Sequence, residues 1–163
     1  MSFRLKDKLY VLNRENGSEV WNYTVGGVFI FAPLLGNINN DGILAVVMAS
    51  WSDYKLYAQN GKDGTPLWNY SMAGTIYTTP SLGNLDCDNK NEVIIGCSGL
   101  DHVDILNIED GIRAWIFTTG GPKCSFPALG NGDGDGKLEV VIGSFDKKIY
   151  ALIGEDGSEV WNL

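Results

Sequence analysis

Histidine is almost missing from this sequence: His102 is the only one in 163 residues. It falls in register with Lys8, Lys55 and Lys148, which suggests a solvent-facing slot, and no Ser–His–Asp or Cys–His set can be assembled repeatedly around it. Cysteine is scarce too. Cys87, Cys97 and Cys124 cannot all pair within one chain, and they lack the C-x-x-C spacing of zinc or redox sites. No cluster of Lys and Arg offsets the net charge of −8, which argues against a nucleic-acid partner. Apolar runs stay well short of the roughly 18–20 residues of a membrane span, so no membrane partner is expected. Met1–Tyr10 has no apolar signal-peptide core, and the chain reads as soluble, with no address.

Glycine, by contrast, is abundant at 21 residues, aromatics reach 11%, and Gly, Asn and Asp punctuate the chain. Such a composition favours short strands joined by tight turns, and the fold class expected is all-β. Self-similarity then fixes the architecture. Trp21, Trp68, Trp115 and Trp161 stand 47, 47 and 46 residues apart, each four residues after a glycine: Gly17, Gly64, Gly111 and Gly157. Pro33, Pro80 and Pro127 recur at the same period, each followed by an LGN triplet ending at Asn37, Asn84 and Asn131.

The last copy divides into four strands: A near Ala128–Leu129, B over Glu139 to Gly143, C over Lys148 to Leu152 and D over Glu159 to Leu163. Strand B is nearly all apolar, as expected of a strand covered on both faces. Four short antiparallel strands per repeat describe a β-propeller blade. The chain then comprises a half blade over 7–23 and blades over 33–70, 80–117 and 127–163, about three and a half in all. The glycine permits the positive φ of a tight C–D turn, and the tryptophan is expected to pack between blades.

The A–B loops carry the chemistry. Asn131, Asp133, Asp135 and Glu139 place side-chain oxygens at loop positions 1, 3, 5 and 9 around Gly136, and Lys137 can add its carbonyl. Alternating oxygens that converge on one point suit a hard cation, calcium above all. Asn84, Asp86, Asp88 and Glu92 repeat the set, with Lys90 at position 7 and Asn89 in place of the glycine. Asn37, Asn39 and Asp41 form a poorer copy, because Ala45 removes the oxygen at position 9. The alternative for all three is a solvated Asx turn without metal.

With D-x-D-x-D-G-like loops ahead of apolar strands, the sequence resembles FG-GAP repeats, the blades of integrin α-subunit-type propellers. Asn stands at position 1 throughout, where that family has Asp. The segments YVLNRENGSEVW, YAQNGKDGTPLW and YALIGEDGSEVW also resemble the PQQ-like repeats of quinoprotein propellers, in which the glycine and tryptophan dock one blade on the next. The resemblance implies a propeller with calcium as its cofactor, and FG-GAP-type loops suit the calcium-rich setting of secreted or cell-surface proteins.

The function expected is non-enzymatic: a calcium-binding module that interacts with another protein or a glycan. A quinoprotein-like redox propeller and a bare structural scaffold are the alternatives. Closed propellers need about 4–8 blades. Three and a half blades therefore imply either a homo-oligomer, a dimer with the strand content of seven blades, or the remainder of a longer propeller.

Overall fold

The computed structural model describes residues 8–29, 31–38, 42–98, 101–121 and 125–163. Every sheet is antiparallel, and there is no helix among the described residues. Strands β1 (Lys8–Leu12) and β2 (Glu19–Thr24) form a lone hairpin. A four-stranded sheet follows, from β3 (Leu34–Asn37), β4 (Leu44–Ser50), β5 (Lys55–Gln59) and β6 (Pro66–Ser71).

The middle blade adds a short strand, β7 (Thr75–Ile76), before β8 (Ser81–Gly83), β9 (Glu92–Ser98), β10 (His102–Asn107) and β11 (Arg113–Thr118). Both β7 and β8 pair with β9, so the connection entering the blade runs back along its second strand. One repeat earlier, Phe29 makes the corresponding single bridge to Ser50. The last blade consists of β12 (Ala128–Gly130), β13 (Glu139–Gly143), β14 (Ile149–Ile153) and β15 (Glu159–Asn162), in that spatial order.

Each C–D hairpin is built alike. Gly17, Gly64, Gly111 and Gly157 have φ of 70°, 74°, 70° and 73°, the left-handed region that the turn requires. Their amides donate to Asn13, Asn60, Asn107 and Ile153 carbonyls at 2.8–3.0 Å. In all four hairpins the register slips by one residue just before the turn, and this sets the tryptophan on the same face each time.

The core lies between the sheets. Val47, Leu56, Val93, Ile95 and Leu106 join the first and middle blades, while Ile94, Val103, Ile105, Val140, Ile142 and Leu152 join the middle and last. Trp21 packs the lone hairpin on Val46 and Met48. Three tryptophans secure these junctions: Trp21 Nε1 donates to the Gly61 carbonyl (2.9 Å), Trp68 to Ile108 (2.7 Å) and Trp115 to Gly154 (2.9 Å). Trp161, on the open face of the last blade, is 44% exposed.

His102 is not in a solvent-facing slot. Only 12% of its side chain is exposed, and Nε2 lies 3.2 Å from Asp104 Oδ2. The aspartate's burial explains the difference: a carboxylate taken out of water gathers every donor within reach, here also Arg113 and Tyr70, each at 3.3 Å.

Candidate metal loops

The two complete acidic loops share one backbone frame. In residues 84–92, Asp86 Oδ1 accepts from the Asp88 amide (3.1 Å) and Asp88 Oδ1 from the Lys90 amide (2.7 Å). In residues 131–139, Asp133 Oδ1 accepts from the Asp135 amide (3.0 Å) and Asp135 Oδ1 from the Lys137 amide (2.8 Å). These consecutive Asx turns leave the second oxygen of each aspartate available. Positions 4 and 6 take positive φ in both: Cys87 and Asn89 at 64° and 66°, Gly134 and Gly136 at 83° and 94°. Asn89 thus adopts the left-handed conformation for which asparagine is suited. Cys87 is an exposed free thiol, while Cys124 and the Cys97 side chain lie outside the described residues.

Position 9 closes each loop. Glu92 Oε2 accepts the Leu85 amide at 2.6 Å and Glu139 Oε2 the Gly132 amide at 2.5 Å. As a result, Asp86, Asp88 and Glu92 bring one oxygen each within 4.8 Å of one another, and so do Asp133, Asp135 and Glu139. Glu92 is only 4% exposed. Burial pushes its carboxyl up to about 7 against the pull of the Leu85 amide, and the charges of Asp86, Asp88 and Glu109 push it the same way.

The donor chemistry fits a hard divalent cation. Three carboxylates converge, and the Asn84 Oδ1 atom is buried without a hydrogen-bond partner. Lys90 does not fill the gap: its ammonium is 2.5 Å from Glu109 and 3.8 Å from Asp88. Lys137 likewise reaches Glu155 at 2.7 Å. Glu109 and Glu155 raise the pKa of these two lysines, and each contact ties an A–B loop to the C–D turn of its own blade. In the last blade the Asn131 Oδ1 atom accepts the Gly134 amide at 2.6 Å, so this oxygen is already engaged.

The first loop is different. Asn37 ends β3 with a buried, unpartnered Oδ1, but Ala45 at position 9 is a buried methyl, and Asn39 and Asp41 lie outside the described residues.

Sequence reasoning missed a second set of acidic residues, at the B–C turns. Asp53 Oδ2 accepts from Tyr57 OH at 2.6 Å. Asp146 accepts from Tyr150 OH and from the Gly120 amide (3.0 Å), which lies just beyond β11 in the connection between the two blades. The Asp-x-x-x-Tyr spacing common to both was the available signal.

Residues 2–125 match the family described as outer membrane protein assembly factor BamB. Among solved structures, BamB from Moraxella catarrhalis is 22% identical, with a TM-score of 0.63 over 90% of this chain and 40% of that one. BBS1N, in complex with ARL6DN, is 16% identical, with a TM-score of 0.66 over 96% of this chain and 43% of that one. At these identities the likeness establishes the propeller fold. The chain spans about two fifths of the length of either structure. No curated protein matches the sequence.

Proposed function

Since this chain belongs to the family described as outer membrane protein assembly factor BamB, we propose that it is a non-enzymatic propeller module whose surface binds another protein, with calcium stiffening two of its loops. Two relatives support the protein partner: one is described as an assembly factor, and the other was solved in complex with a second protein.

Calcium is carried by one observation, the convergence of three carboxylates in each of two loops built on the same frame. Asp86, Asp88 and Glu92 would hold one ion, with Asn84 and the Lys90 carbonyl. Asp133, Asp135 and Glu139 would hold the other, with Asn131 and the Lys137 carbonyl. The ion supplies the positive charge that relieves carboxylate repulsion, and its binding free energy adds to folding stability. Residues 37–45, which lack the closing carboxylate, would bind an ion far more weakly.

Thermal melting tests this reading. Calcium should raise the melting temperature above that in chelator, and Asp135→Ala should remove part of the gain. Identical curves in calcium and in chelator would overturn the calcium assignment. Affinity capture with the calcium-loaded chain tests the rest: a saturable protein partner supports the module, whereas binding only to glycans refutes the protein assignment.

A further inference from the structure

The D strands β2, β6, β11 and β15 each stand at the end of their sheet, so each has one edge that no strand covers among the described residues. An open edge offers amides and carbonyls to any extended chain, and proteins blunt such edges with charged or polar side chains or with proline. Three of the four are blunted here. Asn22 Nδ2 donates to Glu19 Oε1 at 2.5 Å, and Asn162 repeats that bond with Glu159. Strand β6 opens with Pro66, which has no amide hydrogen, and carries Asn69 at the place of Asn22.

The middle blade departs from the others at these same positions. Arg113 stands where they have Glu19, Pro66 and Glu159, and Ile116 where they have Asn22, Asn69 and Asn162. Ile112 replaces Ser18, Thr65 and Ser158. Ile112 is 62% exposed and Ile116 43%. Sheets of this chain flank the middle blade on both sides, so the two isoleucines are exposed with both neighbours in place.

Arg113 does not guard the edge either. Its Nη1 donates at 3.3 Å to the buried Asp104, which lies directly opposite Ile116 in the ladder, while 48% of the arginine side chain stays exposed. A guanidinium has five N–H donors, and the spare ones can take a carboxylate from outside. Arg113 is the only cation in the four D strands, two of which begin with glutamate.

We infer that the outer edge of β11 takes an extended apolar segment of a partner protein as an added strand, with apolar side chains on Ile112 and Ile116 and a carboxylate on Arg113. The inference rests on the protein-binding reading and names the surface and the partner chemistry for it. Backbone bonds to β11 supply affinity, and the isoleucines and the guanidinium supply selectivity. It does not depend on calcium.

Fluorescence anisotropy tests it with a labelled ten-residue peptide that alternates valine and threonine around one glutamate, and with the same peptide carrying lysine instead. Wild type should bind the glutamate peptide saturably and about tenfold or more tightly than the lysine one. Ile112→Ser combined with Ile116→Asn installs residues that the other copies already carry, and should weaken binding about tenfold or more. Arg113→Gln should erase the preference between the peptides, and melting curves confirm that each variant is folded. Hydrogen exchange should slow at β11 amides when peptide is bound and stay unchanged at β6. No binding, equal binding by wild type and the double variant, or no preference for glutamate would each overturn the inference. Self-association of wild type that the double variant abolishes would overturn it as well, giving the edge to a second copy. A protein captured equally by wild type and the double variant would overturn this surface and leave the protein-binding reading standing, whereas failure to capture any protein would overturn both.

Discussion

The middle and last blades carry the same repeat markers, yet they differ in what covers them. In β9, Val93, Ile94 and Ile95 are all fully buried, because sheets lie on both sides. In β13, burial alternates: Val140 and Ile142 are fully buried, while Val141 faces the open side. Trp68, docked on the middle blade, is 9% exposed against 44% for Trp161. The acidic loops follow suit, with Glu92 buried and Glu139 half-buried. An all-apolar strand thus records an intention to be covered on both faces, and the neighbour decides whether it is.

The sharpest way to break this comparison is to truncate both tryptophans. Trp68→Ala should cost about 3–5 kcal/mol, since it removes a packed ring and its hydrogen bond. Trp161→Ala, measured in the same way by denaturant unfolding, should cost less than about 1 kcal/mol. Equal losses would mean that the open face is not open.

A smaller effect separates the loops. Glu92 titrates near 7 when folded, against 4.5 as a free side chain. A raised carboxyl favours its protonated form in the folded state, so the calcium-free protein should lose stability as pH rises from about 4.5 to about 7. Glu92→Gln removes that loss. In chelator it should be up to about 3 kcal/mol more stable than wild type at pH 8, with little difference at pH 4. Urea titrations at the two pH values check this, and a difference independent of pH would refute it.

Much of this was legible in the sequence because a repeat reports its own constraints. The period of Trp, Gly and Pro located every C–D hairpin, and the positive φ at all four turn glycines follows from the need for a tight turn. The alternation of Asn, Asp and Glu in two loops anticipated which carboxylates would meet, since alternate residues of consecutive Asx turns face one centre. Burial was harder to read. His102 looked exposed because its register mates are lysines, whereas the buried Asp104 two residues later draws it in. Strand β7 was missed because two residues, Thr75 and Ile76, carry no periodicity.

The smallest expected effect concerns a single ligand. At a calcium concentration about a hundred times the dissociation constant, each site should add about 2.7 kcal/mol, so Asp135→Ala should lose about that much in calcium and little in chelator. Unfolding curves in the two conditions provide the check, and equal losses in both would assign Asp135 a structural role only.

Calorimetric titration with calcium tests the central claim most directly, because it counts ions. Two tightly bound ions per chain are expected, falling to one in Asp88→Ala and to one in Asp135→Ala. A flat titration of the folded wild-type chain would contradict it.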